Sequence, residues 1–255
     1  MTIDRFGISL ADRRMPALDE TVDLPELFDL DAVELPGAWL GRLALTTQLR
    51  KERKAAIFFS RLLDAGLTRQ AAELEGKLWY DFQARFLEQA FLARELGAER
   101  IEAEFDFARM LSDKDYFKKG SRLLRMLASG LSGSGLKLGL PLRLPQTGEV
   151  YSGDELSRVL SELLLPELEL VLELHIHELV FSDKTIELLN ALKYRTGVIR
   201  VVYEPELGNM LNRAVLSPLV EYAGKSLFPL TVLITPVHAH KDTLAVQLGQ
   251  IKDLR

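Results

Sequence analysis

Between Pro166 and Leu179 the chain reads PELELVLELHIHEL, and no other stretch narrows the fold as much. With the period of two of a strand, Leu170, Leu172, Leu174 and Ile176 share one face, and Val171, Glu173, His175 and His177 share the other. Neither face is that of a half-exposed strand. One is wholly apolar, and the other carries a carboxylate and two imidazoles. Parallel strands in α/β proteins are covered on both faces, and in a barrel the second cover is the lumen. The arrangement returns near the end of the chain in TPVHAHKD, where His238 and His240 share a face. The four histidines of the chain therefore form two His-x-His pairs.

The remaining pattern alternates strands with helices. Strands are expected from Arg5 to Leu10, from Ala32 to Leu35 and from Ala55 to Phe59. A fourth lies in ERIEAEFDF, with Glu102, Glu104 and Asp106 on its inner face, and a fifth in LKLGLPLRL, with Lys137 and Arg143 inward. In the fifth, Pro141 predicts a bulge or an early end. The stretch around His175 is the sixth, and strands from Val198 to Glu204 and from Thr231 to His238 complete the set.

Helices are expected from Pro16 to Leu30, Trp39 to Lys51, Thr68 to Leu96, Asp115 to Ser129, Asp183 to Tyr194, Asn212 to Gly224 and Asp242 to Leu254. Another opens at the capping box Ser152 to Glu155. In the Thr68 to Leu96 segment, Leu78, Phe82, Phe86 and Ala90 mark one apolar face. Trp39 and Trp79 read as packing residues. Eight strands alternating with helices over 255 residues, with no linker-like composition, predict a single (β/α)8 barrel domain spanning residues 1–255.

Composition removes several functions. A chain without cysteine has no thiol chemistry, disulfide or cysteine zinc site, and is compatible with a reducing cytoplasm. A net charge of −5, with RKERK (Arg50 to Lys54) as the longest basic block, disfavours nucleic acid. The Leu-rich segment from Leu163 to Leu174 is too short and too interrupted by charge to span a membrane, and the N-terminus lacks the apolar core of a signal peptide. Oligomeric state is left open. No P-loop, GxGxxG after a strand, GxSxG or HExxH is present.

The inner faces are where chemistry is expected. Barrel interiors are normally filled by branched apolar side chains, and catalytic groups sit at the C-terminal strand ends. Here the inward polar set is Glu102, Glu104, Asp106, Lys137, Arg143, Glu173, His175, His177, Arg200, Glu204, His238 and His240. Unpaired charges are costly to bury, so these groups pair, hold a metal or line a wet site. Paired imidazoles with Glu173 and Glu204 nearby suit Zn, Mn, Fe or Co. A salt-bridged interior and a metal-free acid/base site are the alternatives. Arg143 and Arg200 suit a phosphate or carboxylate, or pair with Glu104 or Glu173. Glu34, ending the second strand, either holds a substrate hydroxyl or pairs with a neighbouring strand end.

FGISL, then DAVEL at the end of the second strand, then a long helix running into ELGAERIEAEF, resembles the xylose isomerase-like barrel superfamily of sugar-phosphate isomerases and epimerases. VHAHKD followed by QLGQIKDL, and ELVLELHIHEL, resemble late strand-end segments of the same group. The resemblance spans most of the chain. It implies a divalent-metal barrel in which a Glu, an Asp, a His and a second Glu from successive late strands hold the metal, and two glutamates shuttle a proton beside a carbonyl. The sequence departs from that set. The fifth strand offers Arg143 where the first Glu is expected, and the eighth offers His238 where the last is expected.

The leading expectation is a cytoplasmic isomerase or epimerase of a small sugar or sugar phosphate, binding neither nucleic acid nor membrane. Its divalent metal would be Mn, Zn, Co or Fe on Glu173, His175, Glu204 and His238. Glu104, His177 and His240 would move protons, and Glu34, Arg143 and Arg200 would contact substrate. The alternative is a non-catalytic barrel with a structural ionic lumen that binds a carbohydrate or a partner protein. A metal hydrolase is a third reading. The families that use a His-x-His pair so carry it on the first strand, where FGISL has none.

Overall fold

Strands in which every second residue is Leu, Ile or Val can only be satisfied by a sheet that is covered on that face. Strands whose other face mixes small, acidic and basic residues need a partner there too. The computed structural model describes residues 3, 5–10, 29–41, 55–143, 155–156, 161, 165–176, 190–192, 195–203, 211, 214, 216–217, 219, 230–236, 249–250 and 252–253. It satisfies both demands with a closed parallel barrel. The strands are β1 (Arg5–Ser9), β2 (Ala32–Pro36), β3 (Ala56–Leu63), β4 (Ala98–Ala103), β5 (Lys137–Arg143), β6 (Leu168–His175), β7 (Thr196–Tyr203) and β8 (Thr231–Pro236). Each pairs with the next, and β8 closes on β1 through Leu233 opposite Gly7.

Outward residues such as Ile8, Leu35, Phe59, Ile101, Leu140, Leu172, Val201 and Ile234 are buried in one large cluster with the helices. A second, separate cluster fills the lumen: Ala32, Ala56, Phe58, Val171, Val198 and Leu233. The two clusters are the two faces of the same strands, as the period of two requires. Gly7 marks how tightly the barrel closes. A Cβ there would lie 2.0 Å from the carbonyl oxygen of Ala32 on the neighbouring strand. Gly7→Ala is therefore expected to lower stability by at least about 2–3 kcal/mol. Denaturant unfolding checks this, and a change under about 0.5 kcal/mol, the ordinary surface range, would mean that the strands separate easily.

Four α-helices are described: α1 (Ala65–Ala72), α2 (Gly76–Glu95), α3 (Phe107–Ser112) and α4 (Lys114–Gly130). The single helix expected from Thr68 to Leu96 is two, with Gly76 at φ +54 at the second start. Asp64 caps the first by accepting from the N–H groups of Gly66 (2.8 Å) and Leu67 (2.9 Å). The break shifts the buried face. Phe86 and Ala90 are core, and Trp79 joins them beneath the guanidinium of Arg122 at 4.1 Å. Leu78, expected inside, is 64% exposed.

Two further expectations are corrected. Asp106 is not an inner strand residue: β4 ends at Ala103, and Asp106 caps α3 by accepting from Arg109 N–H at 3.0 Å. Pro141 neither bulges nor ends β5. Pairing with β4 reaches only Gly139, while pairing with β6 continues without a shift through Pro141 to Arg143. With a ladder on one side only at that height, the missing N–H is tolerated as on an edge strand.

The expected helices from Pro16 to Leu30, Trp39 to Lys51, Asp183 to Tyr194, Asn212 to Gly224 and Asp242 to Leu254, and the capping box at Ser152, lie largely outside the described residues. No helix among the described residues is long and apolar enough to cross a membrane.

Candidate active site at the barrel mouth

One step toward the C-terminal ends from the apolar lumen cluster, period two puts Glu34 after Ala32, Glu173 after Val171 and Arg200 after Val198. Ser9 and Glu102 complete this buried layer. Arg200 is its hub, with a side chain only 1% exposed. Nε and Nη2 donate to the two oxygens of Glu34 at 2.9 and 2.6 Å. Nη2 also donates to both oxygens of Glu102 at 2.7 and 2.8 Å, and Nη1 donates to Glu173 Oε2 at 3.1 Å. Ser9 Oγ donates to Glu34 Oε2. On the rim, Arg143 Nε donates to Glu173 Oε1 at 2.6 Å.

Three carboxyls around one buried guanidinium cannot all ionise at ordinary cost. Burial pushes Glu102 up to about 8, against the pull of Arg200 and with the help of the neighbouring Glu34 charge. Burial also acts on Glu34, but the charge and hydrogen bonds of Arg200, with hydrogen bonds from Glu102 and Ser9, outweigh it and hold that carboxyl below its ordinary value. Glu173 is likewise lowered, because Arg200 and Arg143 together overcome its burial. Arg200 rises well above its ordinary value: its burial is outweighed by Glu102, Glu34 and Glu173. At neutral pH the layer thus balances: Glu34 and Glu173 are ionised, Glu102 holds a proton, and Arg200 and Arg143 carry the positive charge.

Below the apolar cluster a second pair repeats the solution. Arg100 Nε donates to Glu169 Oε2 at 3.0 Å, Nη2 donates to the same oxygen, and the guanidinium lies 4.6 Å from the centroid of the Phe58 ring. Neither residue was on the expected inner face. One period back from Glu102 and from Val171 would have found them.

Above the layer is the mouth. Glu104 follows β4 and is fixed from several sides. Its N–H donates to Leu63 O at 2.8 Å, and its carbonyl accepts from Thr68 Oγ1 at 2.6 Å. Its carboxylate accepts from Ala65 N–H at 3.3 Å and lies 2.5 Å from Arg61 Nε. Arg61 was missed because β3 runs on to Leu63 rather than stopping at Phe59. It sits at φ 49, a left-handed conformation unusual for a side chain of its size, where the β3–β4 register shifts. Arg143 ends β5, and His175 ends β6 half-buried, one period beyond Glu173.

Among the expected site residues, then, Glu104, Arg143, Glu173 and His175 come together along the mouth and the layer beneath it. Glu34 and Arg200 are sealed inside that layer and bonded to each other, which leaves neither reachable by a substrate in this conformation. His177, Glu204, His238 and His240 lie outside the described residues.

The expected metal set can be tested in part. Both oxygens of Glu173 accept from guanidinium groups, so a dication there would displace them and sit beside two positive charges. Among the described residues no group of three or more His, Asp or Glu side chains is placed to hold a metal ion. The described residues do not fit a metal centre built on Glu173.

No protein-family model matches the sequence, and no curated protein matches it either. Solved structures match throughout. A D-psicose 3-epimerase from Clostridium cellulolyticum H10, solved with D-tagatose, has a TM-score of 0.66 at 11% identity, over 98% of this chain and 90% of its own. A xylose isomerase domain protein from Alicyclobacillus acidocaldarius gives 0.64 at 14% identity, over 98% of each chain. A family 2 AP endonuclease from Brucella melitensis gives 0.65 at 14% identity, again over 98% of each. The chain thus shares the (β/α)8 barrel fold of these proteins, with a sequence far diverged from them. At such identities the likeness is one of fold.

Proposed function

We propose that this barrel is an isomerase or epimerase of a small sugar or sugar derivative, acting at the C-terminal mouth. One observation carries the reading. A fixed carboxylate (Glu104), an exposed guanidinium (Arg143) and an imidazole (His175) stand at the ends of three successive strands, β4, β5 and β6. This is the equipment for moving a proton next to a carbonyl. The carboxylate removes the proton from carbon, the imidazole returns one, and the guanidinium beside them binds the substrate on which they act. Arg61 and the Ala65 N–H orient Glu104 for this role. The balanced layer beneath, built on Arg200, supports Arg143 through Glu173. His177 and His240 belong to the same proposal as further proton carriers, and His175, Glu204 and His238 remain its candidate ligands should a metal enter.

The test is exchange of carbon-bound hydrogen. Incubated in D2O with neutral ketohexoses, the protein is expected to introduce deuterium beside the carbonyl, visible by NMR. Glu104→Gln and His175→Ala are each expected to slow this roughly 100-fold or more with unchanged melting. Absence of exchange across a panel of neutral ketoses and ketose phosphates, with and without added divalent metals, would remove the enzymatic reading.

A second reading rests on one specific feature. Arg200 and the three carboxyls satisfy each other inside the lumen, as a purely structural layer would. On that reading the barrel binds a carbohydrate or partner without turnover. Sugar binding by calorimetry without any exchange would favour it.

A further inference from the structure

We infer that the barrel mouth carries an oxyanion anchor at Arg143, so that the preferred ligand of this site is an acidic sugar, a phosphate monoester or a sugar carboxylate, rather than a neutral one. The inference rests on the proposed sugar site for its location, and on the geometry of one ion pair for its chemistry.

An arginine that meets a single carboxylate usually closes on it with two parallel N–H bonds, which uses the fork and its charge. Arg143 does not. Glu173 Oε2 is already taken by Nη1 of the buried Arg200, so Glu173 has only Oε1 to offer, and Arg143 meets it through Nε at 2.6 Å. Among the described residues neither Nη group of Arg143 has a hydrogen-bond partner, and its side chain is 72% exposed against 7% for Glu173. The pair is therefore one-sided. A buried, immobile carboxylate holds the inner nitrogen, and the outer part of the fork faces water.

Holding Nε removes much of the rotational freedom of a long side chain. An incoming oxyanion then pays little to order it. The register fixes the place: Arg143 is opposite Glu173, and His175 is the next inward residue on the adjacent strand. The charge fits as well. Glu173 is shared between two guanidiniums, so Arg143 forms the positive outer pole of the buried layer in a chain whose net charge is −5. A neutral hydroxyl would use one of the two outer groups, whereas a phosphate or carboxylate uses both and meets the charge.

Calorimetric titration of the intact chain with fructose 6-phosphate, fructose and glucuronate tests this directly. Fructose 6-phosphate or glucuronate is expected to bind at least tenfold more tightly than fructose, with affinity falling as chloride is raised. The two acids distinguish a phosphate from a carboxylate ligand, and preference for either supports the anchor. Arg143→Met is expected to abolish the preference. Arg143→Lys, which keeps the charge but not the fork, is expected to retain only part of it, and melting curves verify that both variants fold. Equal affinity for fructose and the two acids, or a preference that survives Arg143→Met, would overturn the inference. Should Arg143→Met fail to fold, loss of the preference in Arg143→Lys supports the anchor, and full retention there overturns it. The result stands apart from the exchange test on neutral ketoses. Anion binding without exchange removes the enzyme and keeps the anchor, and exchange without anion preference does the reverse.

Discussion

Arg200→Met is expected to destabilise the barrel by roughly 3–5 kcal/mol, the usual cost of removing one partner from a buried ionic cluster. The substitution roughly preserves volume, so the loss is electrostatic. Glu34 loses a bidentate partner, Glu102 loses Nη2, and Glu173 keeps only the rim contact with Arg143. Two carboxylates that Arg200 holds below their ordinary values would then be left buried with less compensation. For a chain of this length the loss corresponds to a fall in melting temperature of about 6–20 °C.

The variant's deficit is expected to shrink in acid, where Glu34 and Glu173 accept protons and no longer need a cation. Adding Glu34→Gln to Arg200→Met is expected to recover part of the loss, since it removes one orphaned charge. A melting temperature within about 2 °C of the parent at neutral pH, well short of the shift expected for a buried pair, would mean that water reaches this layer.

Glu102 makes the stability of the barrel depend on pH. Its carboxyl rises from 4.5 to about 8 on folding, so between those values the folded chain keeps a proton that the unfolded chain has lost. Raising the pH through this window therefore favours the unfolded state, and stability is expected to decline from about pH 5 to pH 8 and level off above. The upper limit of that decline is about 5 kcal/mol, reduced to the extent that Glu34 shares the proton. Glu34 and Glu173 act oppositely. Their carboxyls are lowered on folding, so their contribution is present above the ordinary carboxylate range and is lost as pH falls through their folded values.

Glu102→Gln mimics the protonated acid. It is expected to match the parent near pH 5, to remove the decline, and to exceed the parent at pH 8. Denaturant unfolding at a series of pH values measures this, and identical slopes for the two proteins would show that Glu102 is ionised in the barrel at neutral pH.

Strand β6 illustrates what periodicity can and cannot reach. Alternation in LELVLELH orders Val171, Glu173 and His175 on one face whatever else the chain does, because successive side chains on a strand must oppose. The same rule places Glu34, Glu102, Arg143 and Arg200 in the lumen once eight strands are counted. It also reaches Ser9, Arg100 and Glu169 if carried one period further along FGISL, ERIEA and PELEL. It does not reach Arg61, whose position depends on a register shift within β3, nor the break that exposes Leu78 and buries Trp79.

Local spacing, and the cost of leaving apolar residues in water, therefore specify the barrel, its two apolar faces and the inventory of charges inside it. Which charge meets which was decided by tertiary structure alone. Glu34 and Arg200 are 166 residues apart and on non-adjacent strands. They meet because closing the sheet carries β2 and β7 around one narrow lumen. In that low-dielectric space every carboxyl must either meet a guanidinium charge or keep its proton. That requirement commits Glu173 to Arg200 and leaves the outer face of Arg143 open at the mouth, and no spacing along the chain encodes it.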